Sequence, residues 1–330
     1  MSLAVKRAAM KAAQFKYLTV PLAAFLFLAP FPAQASAEVG SSYLYSLANF
    51  FGKIPYSDVR VRVDKDRDEA YVVERGLVRV FNDYGMEFYW FGDNPELESI
   101  YDLAVDEAGD LFLLSLATSS NPETPEYFLI RCNYRGDVKE KMTVTGIPAG
   151  FPGFFPTHMF YRDGQFLFLN NNKMRVVVTD RKGVYQKGYD LADIIEIPQK
   201  DRPNTEIFGF NLDSEGNMLF TVALLHKAFV VSPDGKETAS FGKAGSAPGL
   251  FGIVGGIAKD DRGNYLVVER LRSVVMVFDK EFQFLYEFGY RGDKPGNLTR
   301  PNEVAVGKAG KIFVSQLRSR GVSVFSVTSN

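Results

Sequence analysis

The apolar residues of the chain fall in short runs cut by acidic turns and glycine, and one order recurs. A small or polar residue is followed by an apolar run, an acidic turn, Gly and a second apolar run. It stands as Asp102-Leu-Ala-Val-Asp-Glu-Ala-Gly109, Asn211-Leu-Asp-Ser-Glu-Gly216, Gly256-Ile-Ala-Lys-Asp-Asp-Arg-Gly263 and Glu303-Val-Ala-Val-Gly-Lys-Ala-Gly310. A weaker copy ends at Gly164, and in the first copy Asp68 takes the Gly place. These anchors, at 68, 109, 164, 216, 263 and 310, are 41, 55, 52, 47 and 47 residues apart. Short apolar runs bounded by Gly and Asp predict strands, and a period of this length predicts an array of similar units.

Each unit continues into a third apolar run closed by a turn, as at Val80-Phe81 before Gly85 and Val230-Val231 before Gly235. A fourth run then ends in Phe-Gly, at Phe91-Gly92, Phe241-Gly242 and Phe288-Gly289. Four short strands per unit describe one blade of a propeller, so the fold expected is all-β with six blades. The last unit lacks its fourth strand, because the chain ends soon after Val324-Phe325. The missing strand is expected from the other end, where residues 43–52 precede the first unit and finish in Phe51-Gly52. Pairing it with the last blade closes the ring and leaves no blade unfinished.

At Ala247-Pro-Gly-Leu-Phe-Gly-Ile-Val-Gly-Gly-Ile-Ala258 and Lys294-Pro-Gly-Asn-Leu-Thr-Arg-Pro-Asn-Glu-Val-Ala-Val306 the chain resembles the NHL-repeat family. The Pro-Gly connection, the Arg-Pro entry and the Asp-x-x-Gly-Asn turn of residues 260–264 carry the resemblance, which is strong in the last two units and weaker in the second and third. It implies a six-bladed β-propeller, in agreement with the period. For activity it implies a wide range, from peptide-processing lyases to receptor-like ectodomains and interaction modules, so the fold does not choose among them.

The first 37 residues change the picture of where this ring works. Lys6, Arg7, Lys11 and Lys16 precede an apolar stretch at 17–31, and Ala33-Gln-Ala35 or Ala35-Ser-Ala37 offers a small-residue cleavage site. This pattern predicts a signal peptide over 1–37, a propeller over 38–330 and a periplasmic or extracellular location. The apolar stretch is short for a membrane span and contains Pro21 and Pro30. No Cys lies near the cleavage site, so a bacterial lipid anchor is not indicated. The chain carries a net charge of −1, and loss of the four basic residues of the leader brings it to −5. That balance argues against nucleic acid as a partner. With one Cys in an exported chain, no internal disulfide framework is expected. Cys132 precedes Gly136 as Phe81 precedes Gly85, which places it in an inter-blade core.

Candidate chemistry is sparse. The lyases that the family resemblance brings in hold zinc on several histidines, whereas this sequence has only His158 and His226. Six-bladed lactonases, which also resemble this architecture, hold a divalent ion on carboxylate and amide oxygens at the channel mouth. The matching place in units two to six is Asp102, Thr157, Gly209, Gly256 and Glu303, with His158 and Asn302 beside the row. Oxygen ligands converging there would suit Ca²⁺; the other reading is that Asp102 and Glu303 only cap strand starts in solvated loops. The turns between second and third strands carry Arg75, Lys173, Arg175, His226, Lys227, Arg270, Arg272, Arg318 and Arg320. They would emerge on one face and favour an anionic ligand or an acidic partner, unless neutralised locally by Glu74 and Glu269. The apolar loop at 146–156 is either a docking patch or a connection packed against the blades. No complete catalytic constellation is present. The expected role is therefore a protein- or ligand-binding scaffold in an envelope assembly, docking another envelope protein, with Asp102, His158, Asn302, Glu303, Arg75, Arg270 and Arg318 as ligand-binding candidates. The alternative is a metal-dependent lactonase- or lyase-like enzyme.

Overall fold

The computed structural model describes residues 40–55, 59–117 and 126–328; the predicted leader lies outside them. Six four-stranded antiparallel sheets follow one another. Blade 1 holds Arg60–Asp64, Glu69–Glu74, Leu77–Phe81 and Glu87–Phe91. Blade 2 holds Ser99–Val105, Leu111–Leu116, Tyr127–Cys132 and Val138–Met142. Blade 3 holds His158–Arg162, Gln165–Asn170, Arg175–Asp180 and Tyr185–Asp190. Blade 4 holds Gly209–Leu212, Met218–Val222, Lys227–Val231 and Glu237–Phe241. Blade 5 holds Val254–Lys259, Tyr265–Glu269, Val274–Phe278 and Phe284–Phe288. Blade 6 takes Pro301–Val306, Lys311–Gln316 and Val322–Thr328 from the end of the chain and Gly40–Ser46 from its start. The architecture is a six-bladed β-propeller whose ring is closed by an N-terminal strand.

The recurring anchors have a backbone cause. Gly109, Gly164, Gly216, Gly263 and Gly310 all sit at positive φ in the turn between first and second strands, and Asp68 holds the same conformation at φ 56°. Glycine enters that region without steric cost, and Asp tolerates it better than most residues.

Apolar side chains pack between blades rather than within one central core. Six buried clusters are found among the described residues, one at each interface between neighbouring blades. Cys132 lies fully buried between blades 1 and 2, with its thiol pushed up to about 12 by burial. Phe151 and Phe154 pack on the cluster between blades 2 and 3, and Phe155 meets Tyr101 and Tyr127 edge to face. The 146–156 connection is therefore packed down at these rings.

The closing strand differs from its sequence prediction in register. It pairs from Gly40 opposite Thr328 to Ser46 opposite Ser323 and does not run on to Phe51-Gly52. Leu47, fully buried, caps the strand, with its N–H bonded to Val322 O. The chain then folds into a tight hairpin of Ala48–Asn49 and Gly52–Lys53, with Phe50 and Phe51 as its two-residue tip. Phe91, Phe241 and Phe288 are buried at their strand ends, whereas Phe51 is 94% exposed. Its Phe-Gly pair thus serves a turn, with Gly52 at φ 112°.

Candidate functional site

The first strands of the six blades surround a central channel of about 720 Å³. Strand register gives equivalent places around its axis. Val61 pairs with Val72, Leu103 with Leu113, Met159 with Phe168, Phe210 with Phe220, Ile257 with Val267, and Val304 with Val314. The residues just before these form one ring: Arg60, Asp102, His158, Gly209, Gly256 and Glu303. In blade 3 the member is His158, not Thr157, because the turn there is one residue shorter. Arg60 is the blade 1 member, displaced in the count by a turn one residue longer.

Two of the six ring positions, Gly209 and Gly256, present backbone alone. A Cβ on Gly209 would lie 2.2 Å from Gly255 O, and one on Gly256 would lie 2.7 Å from Val304 N. Only glycine permits so close an approach of the strands of blades 4, 5 and 6. β-Bulges near the ring residues in blades 2, 5 and 6 locally re-aim their side chains.

The other four, Arg60, Asp102, His158 and Glu303, carry side chains that pair with one another or with Arg62. Asp102 is wholly buried: its Oδ2 accepts from Arg62 Nη2 at 2.6 Å and from Met159 N at 2.9 Å, and its Oδ1 from Leu103 N at 2.8 Å. Glu303 accepts from Arg60 Nη1 and Val61 N, both at 3.3 Å, and its Oε2 lies 3.7 Å from Arg62 Nη1. Arg62 also stacks its guanidinium over Phe160 at 4.9 Å. Two carboxylates thus meet two guanidinium groups, and the cluster is neutral.

His158 completes it, with Nε2 3.8 Å from Glu303 Oε1. Its Nδ1 lies 3.0 Å from Thr157 Oγ1, which donates to Leu169 O and accepts from Asn171 N. That network assigns the ring proton to Nδ1. Burial, reinforced by Arg60 and Arg62, holds the imidazole well below its ordinary pKa, so it is neutral.

Asp102, His158 and Glu303 therefore do converge. Asn302 and Arg270 join one another at the edge, Arg270 Nη2 donating to Asn302 Oδ1 and the guanidinium lying 5.5 Å from the Phe208 ring. Arg75 and Arg318 stand exposed in their turns and are not part of the cluster. Of the other cations in the turns between second and third strands, Arg175 is paired with Asp190, Arg272 with Glu287 and Arg320 with Asp293. Lys173 and Lys227 are exposed.

The residues missed by sequence reasoning are Arg60 and Arg62. Their signal was present in Arg60-Val-Arg-Val-Asp64, where charge occupies every second position of an inner strand. With two guanidinium groups already facing the carboxylates, this donor set does not fit a divalent cation. Among the described residues no group of three or more His, Cys, Asp or Glu is placed to hold a metal. From the ring the channel runs toward the turns that join first to second strands, between walls that mix Phe160, Phe210 and Ile257 with Arg162 and Lys259. Bonds from Asn217, with a further one from Lys259 at 3.2 Å, hold the Asp213 carboxyl below its usual range against its burial.

A six-bladed propeller with a self-neutralised channel mouth is the class that the fold and site define. No family model matches the chain. It is 32% identical to the protein brain tumor of Drosophila melanogaster over 77 residues, which is 23% of this chain and 7% of that protein. Among solved structures it is similar to a streptogramin B lyase, with a TM-score of 0.55 at 11% identity over 88% of this chain and 98% of the other. A catalytically inactive virginiamycin B lyase of Staphylococcus aureus, solved with quinupristin, gives 0.53 at 11% identity over 84% of each chain. A protein of unknown function from Bacteroides thetaiotaomicron gives 0.59 at 11% identity over 88% of this chain and 77% of that one. At these identities the likeness is one of fold. No helix among the described residues is long and apolar enough to cross a membrane.

Proposed function

We propose that the protein is an exported NHL-type propeller that acts by binding, as a scaffold or partner-docking subunit of an envelope assembly. The observation that supports this best is the mutual pairing of the charged side chains at the channel mouth. A site for acid–base or metal chemistry needs a group left open toward its substrate. Here Asp102 is committed to three donors, and Glu303 lies between two arginines and a neutral imidazole. The leader supports export, and the short match to the fruit-fly protein supports the NHL reading. Exposed Arg75, Arg318, Lys173 and Lys227 favour an anionic ligand or acidic partner on their face.

The second reading, a metal-dependent lactonase- or lyase-like enzyme using Asp102, His158 and Glu303, draws on the convergence of those three residues and on the fold shared with the lyases. Titration calorimetry separates the two. The binding reading expects no heat from Ca²⁺, Mg²⁺ or Zn²⁺ at micromolar concentrations; a micromolar site lost in Glu303→Gln would favour the metal-dependent reading instead. Affinity isolation from the protein's own envelope fraction is expected to recover one partner with both wild type and Glu303→Gln.

A further inference from the structure

The outer strands of the six blades provide an internal comparison. An outer strand has an open edge, and proteins blunt such edges with polar or charged side chains. Blade 2 does so with Lys139, Glu140 and Lys141, blade 3 with Gln186 and Lys187, and blade 4 with Glu237, Thr238 and Ser240. Blades 5 and 6 each expose one leucine, Leu285 and Leu44. Blade 1 departs from all five. Its strand Glu87–Phe91 exposes Phe88 and Trp90 each by 50%; the turn before it adds Tyr84 and Met86, as the turns before the outer strands of blades 2 and 3 expose Tyr134 and Val184.

The Phe50-Phe51 hairpin stands against this same strand. Ala48 donates to Gly85 O at 2.9 Å and bridges Met86 in parallel. Its tip places two phenylalanines where a turn favours Asn, Asp or Gly, and exposes both by more than nine-tenths. Beyond the Ala48 bridge, no further strand pairs with the outer edge among the described residues.

Charge selects what covers this edge. Asp83 is exposed before it, and Asp93 and Glu96 are exposed after it, against one exposed lysine of the hairpin, Lys53, and Lys311, which is taken up by Asp68 and Asp83 O. A second copy paired antiparallel about Phe88 would set Asp83 against Asp93, and like charges placed opposite each other are destabilising. An anionic bilayer would meet the same carboxylates. An extended apolar segment with basic ends meets neither objection.

We propose that the outer edge of blade 1, with the Phe50-Phe51 hairpin beside it, receives an extended apolar strand of a partner protein flanked by Lys or Arg. Backbone bonds to the open edge would supply affinity, Phe88 and Trp90 the apolar contact, and Asp83 and Asp93 the preference for basic ends. This rests on the binding role proposed above and names its surface.

Trp90 is the only tryptophan of the chain, so its emission reports on this edge directly. The probe is a short synthetic peptide of alternating valine and threonine with lysines at both ends, compared with one ending in glutamates. The lysine peptide is expected to shift Trp90 emission to the blue and to bind about tenfold tighter than the glutamate peptide at low salt. Phe88→Lys should weaken it about tenfold with no change in thermal midpoint. Asp83→Lys with Asp93→Lys should reverse the preference. The proposal is overturned if neither peptide shifts the emission or if both bind alike. It is also overturned if only phosphatidylserine vesicles give the shift, or if the shift follows protein concentration together with a dimer in light scattering. If the peptides fail while wild type and Phe88→Lys recover the same envelope partner, this surface is wrong and the binding role stands. Failure of both, with a micromolar metal site, would remove the role itself.

Discussion

Arg62 reaches from blade 1 to Asp102 in blade 2 and toward Glu303 in blade 6, so one side chain joins three blades. Asp102 has no solvent to fall back on. Arg62→Met should therefore cost about 3–5 kcal/mol in chemical denaturation, because it strands a buried carboxylate. Combining it with Asp102→Asn should recover most of the loss; strictly additive costs would contradict the coupling. His158 makes a second prediction at this scale. Its pKa is lowered on folding, so above pH 6.5 neither the folded nor the unfolded state carries the proton. As pH falls below 6.5 the unfolded chain takes up a proton that the folded site refuses, and stability declines until the depressed folded pKa is reached. His158→Gln should flatten that decline by up to about 1.4 kcal/mol per pH unit, read from denaturation between pH 7 and pH 5. Parallel curves for both proteins would refute this account of His158.

At the scale of elements, the closing strand and the hairpin after it follow opposite rules within one short stretch. Tyr43 meets Phe325 edge to face at 5.8 Å, and Leu47 is fully buried between blades 6 and 1. Removing residues 40–47 should lower the thermal midpoint by roughly 10 °C or more, since several buried side chains and a strand's bonds are lost together. Phe50→Ser with Phe51→Ser should change stability by less than about 0.5 kcal/mol, because both rings are more than nine-tenths exposed and meet one another edge to face in solvent. An unchanged midpoint for the first variant would argue against closure by this strand. The same stretch shows where sequence pattern misleads. Phe51-Gly52 copies the Phe-Gly of three outer strands, and composition alone does not say whether Phe is buried at a strand end or presented on a turn.

Across the whole molecule, the blades were legible because each turn between first and second strands demands a left-handed residue, which leaves a regular trace of glycine. The ring at the channel mouth was legible only in part. Asp102 and Glu303 stood out as carboxylates in a row that otherwise favours small residues, but turns of unequal length displaced Arg60 and His158 by one position. Whether converging acids form an open site or a closed ion cluster depends on partners from other blades. Asp102 and Arg62 are 40 residues apart, and Glu303 and Arg60 are 243 apart. Such distances carry no periodic signal. The longest of these links is the pairing of Gly40 with Thr328. During synthesis the first of these segments is made long before its mate, so five sheets can assemble while this outermost strand waits for the three inner strands of the sixth. The entropic penalty of that final search grows only slowly with the length of chain spanned, but it is met last, which makes the seam between the two ends the step at which maturation of the ring is most exposed to going astray.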